Sequence, residues 1–331
     1  MTAARGPRIG VALCTRDGER FVAEQLRSIL AQSPAPDALV ISDDDSADGT
    51  LAIARAEIER ADAGPELVWI ENRPPLGVTK NFEGAVRAAS AASAELIALS
   101  DQDDVWHAGR LARATAVFAA DPEALLLFTD ARIVDAAGVP RGPGLFETLG
   151  VSEPELGLVE SGNAFAALLR RNIVTGATVV FRRELLDLAL PFPETWVHDE
   201  WLAIVAAVHG GVRVLRAQTI DYRQHGGNEI GVVEPTLAYR VRRMLEPRGT
   251  RNTQLAAKFA ELEAWGRRTG VAPSTAASLA AKAGFERARA ALPDARLARL
   301  PAVIRLAARG LYPRYASQGW LDVLRDLLQP K

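Results

Sequence analysis

The sequence predicts an α/β fold with a mostly parallel β-sheet, followed by a helical C-terminal region. Short apolar runs alternate with amphipathic helical patterns through the first half of the chain. Two of these apolar runs are each followed by a group of aspartates, and the patterns after residue 235 are helical only. Alternating strands and helices are typical of a parallel sheet that carries helices on both faces.

The predicted elements follow one another closely along the chain. Strands are expected at the apolar runs, which are residues 9–14, 39–41, 67–70, 96–99 and 125–128. Helices are expected between them, at residues 21–30, 50–60, 78–89 and 108–119. Glycines and prolines between residues 135 and 158 predict an irregular loop region. The later predicted elements are helices at 164–170, 184–188 and 199–209, with strands at 178–181 and 212–222.

Composition limits the class of protein. The chain has 331 residues, of which 48% are hydrophobic and 24% are charged, as in soluble globular proteins with a sizeable core. Residues 1–8 lack the apolar stretch of a signal peptide, and no segment approaches the roughly 20 apolar residues of a spanning helix. Cys14 is the single cysteine, which excludes an internal disulfide. These features predict a cytoplasmic protein, and we expect no nucleic acid among its partners.

Charge divides the chain into two predicted regions. Residues 235–331 contain 18 Lys and Arg against 7 Asp and Glu, whereas residues 1–234 contain 21 against 34. We therefore predict an acidic catalytic domain at residues 1–234 and a basic helical region at residues 235–331.

The basic region also carries apolar residues at helical spacing. They are Leu297, Leu300, Ile304, Leu311, Trp320, Leu321, Leu324 and Leu328. Such faces are typical of helices that pack on a neighbouring domain, form a homodimer, or bind as a peripheral helix at an anionic membrane. The sequence leaves these three alternatives open, and the last would place the protein at the inner face of the cell membrane.

The first polar motif, residues 42–50, follows the second predicted strand. Asp43 and Asp44, together with Thr15 and Arg16 after the first strand, have the chemistry to hold a nucleoside, because carboxylates accept hydrogen bonds from a pyrimidine imide or a ribose hydroxyl. The alternative is a polar turn that caps the next helix. The first strand is followed by neither a G-x-G-x-x-G fingerprint nor a phosphate-binding P-loop, which disfavours dinucleotide oxidoreductases and P-loop kinases.

The second motif crowds three aspartates, Asp101, Asp103 and Asp104, beyond the end of the fourth strand. Carboxylates this close repel one another unless a cation binds them. Mg²⁺ or Mn²⁺ bound through one or two of them, with phosphate and water completing the coordination, would fit this pattern. The alternative is that Asp103 or Asp104 caps a helix.

Two further motifs occur near the end of the acidic region. Asp199 follows His198 at the start of a predicted helix, where it is either a helix cap or a general base for an acceptor hydroxyl. Arg223 and His225 lie in a glycine-rich loop that ends at Asn228, where Arg and His suit a diphosphate and His also suits a metal. The alternative for that loop is an ordinary turn. One cysteine and four histidines disfavour a zinc site.

Taken in order, these motifs resemble the inverting glycosyltransferases of family 2 over residues 8–230. Asp43-Asp44 with Asp48-Gly49-Thr50 resembles the nucleotide-binding run of that family, although Asp45 stands where glycine is usual. Asp101-Gln102-Asp103 matches its D-x-D motif, and the stretch 72–82, with Gly77 and Lys80, is also similar. The resemblance implies a GT-A nucleotide-diphospho-sugar transferase fold, which is a single Rossmann-like domain, and leaves the helical tail uncovered.

The resemblance also implies roles for the site residues. Asp199 would be the catalytic base, and Asp103 with His225 would bind Mg²⁺ or Mn²⁺ on the diphosphate. The residues implied in donor binding are Thr15, Arg16, Asp43, Asp44, Lys80, Asp101, Gln102 and Arg223. The runs 100–106 and 222–228 are similar to bacterial rhamnosyltransferases of surface polysaccharide synthesis, which implies dTDP-L-rhamnose as the donor and a saccharide or lipid-linked glycan as the acceptor.

Three other functions remain open from the sequence. A family 2 hexosyltransferase would use a UDP-sugar instead. A nucleotidyltransferase also needs carboxylates and a metal, but the chain lacks a glycine- and lysine-rich triphosphate loop after the first strand. A non-catalytic nucleotide-sugar-binding module would bind the donor without turnover.

Overall fold

A computed structural model describes residues 6–61, 64–226 and 247–330. The contacts within the chain divide it into two units. The first unit comprises Met1–Ala164 and Ile173–Val233, and the second comprises Phe165–Asn172 and Glu234–Lys331. The domain boundary predicted between residues 234 and 235 lies outside the described residues, as do Gly227 and Asn228 of the last motif.

A β-sheet organises the first unit, and its described residues form eight strands in the order β3-β2-β1-β4-β7-β6-β8-β5. Strands β3, β2, β1 and β4 are mutually parallel, β7 is antiparallel to both neighbours, and β8 is parallel to β6 but antiparallel to β5. The strands are β1 (Ile9–Thr15), β2 (Ala38–Asp43), β3 (Glu66–Glu71), β4 (Leu96–Ser100), β5 (Val105–Trp106), β6 (Leu126–Asp135), β7 (Val180–Arg182) and β8 (Val212–Gln224). The predicted mostly parallel sheet is confirmed.

Helices cover this sheet because their apolar residues recur every three or four positions. In α1, for example, Val22, Leu26 and Ile29 are all buried. The helices are α1 (Val22–Leu30), α2 (Thr50–Glu59), α3 (Val78–Ala91), α4 (Arg110–Ala120), α5 (Leu145–Thr148), α6 (Glu153–Glu160), α7 (Ala164–Arg170), α8 (Leu185–Ala189) and α9 (His198–Val208). Most of α7 belongs to the second unit.

The register of the sheet gathers the polar motifs at one edge. Thr15 of β1 pairs with Asp43 of β2, and Leu13 of β1 pairs with Ser100 of β4. The loops after these three parallel strands therefore leave the sheet on the same side. Val105 of β5 pairs with Asp221 of β8, which brings residues 101–104 beside residues 223–225.

Two parts of the first unit differ from the sequence prediction. The region 135–158, predicted to be irregular, contains α5 and the start of α6. Helix α6 begins with a capping box, in which Glu155 Oε2 accepts hydrogen bonds from the backbone and hydroxyl of Ser152. Strand β5 was not predicted, because two residues carry no periodicity and the strand depends on pairing with the distant β8.

The second unit is helical in its described residues, as predicted. After α7 it contains α10 (Arg251–Thr269), α11 (Pro273–Ala290), a 3₁₀ turn (Arg296–Arg299), α12 (Leu300–Ala308), α13 (Leu311–Tyr315) and α14 (Leu321–Leu328). Pro273 and Pro301 stand in the first turns of α11 and α12, where the missing N–H costs no hydrogen bond. Among the described helices, none has the length and hydropathy needed to cross a bilayer.

A buried ion network lies inside the second unit, beside buried apolar residues such as Leu262 and Phe285. The guanidinium of Arg289 contacts both carboxylate oxygens of Asp326, at 2.7 and 3.0 Å, and the hydroxyl of Tyr312 donates to the same carboxylate at 2.8 Å. The ammonium of Lys282 donates to Glu286 at 2.7 Å. All five side chains are buried, so each charge depends on its partner for solvation that water would otherwise provide.

We predict that Asp326→Ala lowers the free energy of unfolding by about 3–5 kcal/mol, because it leaves Arg289 buried without its principal partner. Urea denaturation followed by circular dichroism measures the effect. Asp294→Ala is the matched control, because Asp294 is exposed and its contact with Arg248 is 3.7 Å long, and we expect a loss below about 1 kcal/mol. Equal losses in the two variants would contradict the prediction.

Candidate active site

Asp43 ends β2 and is held by groups from two loops. Its Oδ1 accepts hydrogen bonds from Thr15 Oγ1 at 2.7 Å and from Ser46 Oγ at 2.6 Å, and its Oδ2 accepts one from the Ser46 amide at 2.9 Å. Thr15 and Asp43 are both buried. The structure therefore brings together these two predicted donor-binding residues, and it uses the Thr15 hydroxyl to orient the carboxylate.

Asp44 organises the loop before α3. Its carboxylate accepts hydrogen bonds from the amides of Leu76 and Gly77, at 2.7 and 2.8 Å, and from Asn72 Nδ2 at 3.3 Å. The next residue, Asp45, has a φ of 64°, in the left-handed region that glycine adopts most readily and that aspartate tolerates. Asp45 therefore adopts the backbone conformation suited to glycine, which is the usual residue at this position in the family that the sequence resembles.

Gln102 joins the carboxylate loop after β4 to the loop after β1. Its Oε1 accepts from the Arg16 amide and its Nε2 donates to the Arg16 carbonyl, both at 2.7 Å. A Cβ on Gly18 would lie 2.2 Å from Gln102 Oε1, so a larger residue there would displace this amide. The Gln102 side chain therefore positions the backbone of Arg16, whose own side chain is exposed to solvent.

Asp103 and His225, the two predicted metal ligands, lie next to each other. His225 Nε2 lies 2.9 Å from Asp103 Oδ2, and the imidazole packs beside the ring of Phe21 with centroids 4.7 Å apart. Both side chains are partly accessible to solvent. This arrangement presents one oxygen ligand and one nitrogen ligand side by side at the sheet edge.

Arg223 is buried and contacts the backbone of Asp103, next to the Asp103–His225 pair. Its Nε donates to the Asp103 carbonyl at 2.8 Å, one terminal nitrogen donates to the Ala136 carbonyl at 3.2 Å, and the other donates to Glu24 at 2.6 Å. Its backbone amide donates to Asp104 Oδ1 at 3.0 Å. The geometry therefore makes Arg223 a support for the carboxylate loop, whereas the sequence interpretation had it binding the donor.

Asp104 is buried, and its Oδ2 has no hydrogen-bond partner among the described residues. Burial, followed by the charges of Asp103 and Asp101, raises the pKa of Asp104 well above its ordinary value. Burial also raises the pKa of the Tyr222 hydroxyl, and the charges of Asp101, Asp103, Asp104 and Asp199 raise it further. The candidate base and the carboxylate cluster therefore share one electrostatic environment around Tyr222.

Asp199 lies in the first turn of α9, after its N-cap Val197. Its Oδ2 accepts a hydrogen bond from the amide of Gly176 at 2.8 Å, and its Oδ1 accepts one from the Glu200 amide at 2.7 Å. Two backbone donors thus fix the orientation of the carboxylate. The neighbouring His198 stacks on Phe82, and burial lowers its pKa to about 3, which keeps the imidazole neutral.

Lys80 does not join the other predicted residues. Its ammonium donates to Glu83 Oε2 and to the Phe192 carbonyl, both at 2.8 Å. These contacts tie α3 to the loop before α9, and the role of Lys80 in donor binding stays a prediction.

The side chains of the site suit a Mg²⁺ or Mn²⁺ ion that is also coordinated by a substrate. No group of three or more His, Cys, Asp or Glu side chains poised for a metal is found in the described parts of the chain. Mg²⁺ commonly takes one or two protein ligands and completes its coordination with phosphate and water. Asp103 and His225 would provide two adjacent ligands, and a cation there would lie close to Asp104, whose raised pKa shows that further negative charge is disfavoured without one.

Sequence reasoning missed three residues that support this site. Glu24 pairs with Arg223, Gly176 orients Asp199, and the Gln25 amide donates to Ser100 at 2.7 Å. Glu24 and Gln25 carry no local signal, because each looks like an ordinary residue of an amphipathic helix. Gly176 is informative only after folding, since a Cβ there would lie 3.0 Å from His198 and 3.3 Å from Asp199.

The sequence is similar to those of known glycosyltransferases. An uncharacterised glycosyltransferase of Nostoc sp. is 26% identical over 231 residues, and the match covers 67% of this chain and 66% of that protein. The dTDP-rhamnosyl transferase RfbG of Shigella flexneri is 24% identical over 229 residues, covering 66% of this chain and 73% of RfbG. The chain thus spans about two thirds of the length of these curated relatives.

Solved structures show the same fold. The mannosyltransferase PcManGT from Pyrobaculum calidifontis, determined in complex with GDP-Man and Mn²⁺, superposes with a TM-score of 0.56 at 22% identity. The alignment covers 98% of this chain and 86% of that one. The GT-A fold implied by the sequence resemblance is therefore confirmed.

The family model described as glycosyl transferase family 2 matches residues 10–187. That range contains the aspartates at the ends of β2 and β4. Because the match covers more than half of the sequence and the fold agrees, the chain belongs to glycosyl transferase family 2.

Proposed function

We propose that this protein is an inverting glycosyltransferase that moves a sugar from a nucleoside diphosphate donor to a hydroxyl group. The observation that carries the proposal is the geometry of Asp199. Its carboxylate is held by two backbone amides and shares the environment of Tyr222 with Asp101, Asp103 and Asp104. This geometry supports the roles proposed for Asp199 as proton acceptor and for the aspartates after β4 as the acids that bind the metal.

In the proposed reaction, Asp199 takes the proton of the acceptor hydroxyl. The acceptor oxygen forms a bond to the anomeric carbon while the bond from that carbon to the diphosphate breaks, and the nucleoside diphosphate departs. Asp43, Asp44 and the loop at Arg16 would hold the nucleoside. Asp103 and His225 would hold Mg²⁺ or Mn²⁺, which neutralises charge on the diphosphate.

For the donor, we propose dTDP-L-rhamnose. The motif runs 100–106 and 222–228 support this choice, and so does the likeness to the rhamnosyl transferase of Shigella flexneri. The acceptor proposed is a saccharide or a lipid-linked glycan of the cell envelope. The alternative donor is a nucleotide hexose, since the mannosyltransferase with the same fold was determined with GDP-Man.

We predict that Asp199→Asn lowers turnover by about 10²–10⁴-fold, because asparagine keeps the shape of the side chain but cannot accept the hydroxyl proton. Donor binding should change little. Release of nucleoside diphosphate measures turnover, and calorimetry measures donor binding. Glu194→Gln, in the exposed loop before α9, is the control and should retain activity. Normal turnover in Asp199→Asn would refute the assignment of the base.

Removal of divalent metal should abolish turnover, and added Mn²⁺ or Mg²⁺ should restore it. Asp103→Ala should prevent that rescue and weaken binding of Mn²⁺ with nucleoside diphosphate more than about tenfold, because one of two adjacent protein ligands is lost. Calorimetric titration with Mn²⁺ gives a readout that is independent of turnover. Asp187→Ala, which removes an exposed carboxylate paired with Arg183, serves as the control. Full activity in excess chelator would exclude a metal requirement.

A donor panel tests the sugar. With dTDP-rhamnose, UDP-glucose, UDP-galactose and GDP-mannose in competition, we expect preferential consumption of dTDP-rhamnose. Mass spectrometry of the remaining donors measures the preference. Selection of any other donor would overturn the choice of sugar while leaving the family and the fold unchanged.

A further inference from the structure

Helix α14 of the second unit has its polar face buried and its apolar face exposed. Asp322, Arg325, Asp326 and Gln329 are buried, where they join the ion network with Arg289 and Arg299. The opposite face is apolar, with exposed fractions of 58% for Trp320, 48% for Leu321, 44% for Leu324 and 48% for Leu328. A surface helix of a globular protein normally has the reverse polarity.

Neighbouring elements extend this apolar face. The 3₁₀ turn, α12 and α14 contact one another. Leu297 in the turn and Ile304 in α12 are exposed to 82% and 61%, and Leu300 is also exposed, while Val303 and Leu306 of α12 are buried. We call the exposed set Leu297, Leu300, Ile304, Trp320, Leu321, Leu324 and Leu328 the apolar surface of the second unit. Exposed aliphatic and aromatic residues in such numbers are typical of an interaction site.

Charge around the apolar surface has one sign. Between residues 295 and 330, the exposed ionisable side chains are Arg296, Arg305, Arg309 and Arg314. The two aspartates of the same stretch, Asp322 and Asp326, are buried in the ion network. Asp294, just before the stretch, faces Arg248. Within residues 295–330, positive charge therefore reaches solvent, whereas the two aspartates do not.

We propose that the apolar surface and its arginines bind the surface of an anionic lipid bilayer. Leucine, isoleucine and tryptophan side chains insert at the boundary between headgroups and acyl chains, and arginines flanking them attract anionic headgroups. A second copy of the chain fits less well, because a two-fold contact through this surface would place the same arginines of both copies near one another with no exposed carboxylate in the stretch to pair with them. The inference is independent of the proposed transferase chemistry.

Sedimentation of the full-length protein with vesicles tests the proposal. Vesicles of phosphatidylcholine mixed with phosphatidylglycerol should bind the protein at low salt, and both high salt and pure phosphatidylcholine should weaken binding, because headgroup charge contributes to it. The double variant Arg305→Gln/Arg309→Gln should lower the partition coefficient about fivefold for each arginine removed. The double variant Ile304→Ser/Leu324→Ser should lower it by about tenfold or more.

Matched controls come from the first unit. Val139→Ser removes an apolar side chain that is 54% exposed, and Arg113→Gln removes an exposed arginine of α4. Both controls should bind as the unchanged protein does. Circular dichroism and the thermal midpoint verify that every variant is folded.

Three results would overturn the proposal. One is no sedimentation with phosphatidylglycerol vesicles at low salt, and another is equal binding to neutral and anionic vesicles. The third is a dimer, seen by analytical ultracentrifugation without lipid, that Ile304→Ser/Leu324→Ser dissociates, since the surface would then be an interface between two copies of the chain.

Discussion

The buried guanidinium of Arg223 connects the carboxylate loop of the site to two other parts of the first unit. It donates to the carbonyl of Asp103, to the turn at Ala136 and to Glu24 of α1, while its own backbone amide donates to Asp104. Since Arg223 precedes His225 by two residues, the same contacts bring the imidazole to Asp103. The amide of Arg223 and the positive charge of the buried Arg110 both lower the pKa of Asp104, which offsets part of the repulsion from Asp103 and Asp101.

The remaining strain of the site is electrostatic. Asp101, Asp103 and Asp104 follow one another after β4, and the pKa of Asp104 is raised because burial and its acidic neighbours disfavour another negative charge. A divalent cation brought with a diphosphate would relieve this repulsion, which makes donor and metal binding mutually supportive. The amide of Gly176 orients Asp199. The backbone, which does not titrate, thus supports the candidate base, while charged groups support the candidate metal ligands.

Around α14, the second unit reverses the usual distribution of polarity. Beside buried apolar residues such as Leu262 and Phe285, its interior contains charged side chains in contact with one another, while leucines, an isoleucine and a tryptophan face outward; the charged residues are Lys282, Glu286, Arg289, Asp322 and Asp326. A buried ion network contributes less net stability than an apolar core of the same volume, because each charge loses its hydration. An apolar partner on the outer face of α14 would stabilise this arrangement, because the leucines would then be buried.

The sequence by itself determined the alternation of strands and helices, the sheet edge at which the aspartates gather, and the family. Each of these depends on local periodicity or on motifs of adjacent residues, such as Asp43-Asp44 and Asp101-Gln102-Asp103. Only the tertiary structure decided how individual side chains are used. Gln102 binds the backbone of Arg16, Arg223 supports a loop, and Lys80 pairs with Glu83, because hydrogen-bond partners far apart in the chain compete for each group. In α14, the periodicity reveals two faces, but which face turns inward depends on residues of other elements. Arg289 pairs with the carboxylate of Asp326, and Arg299 donates to the backbone carbonyl of Asp326.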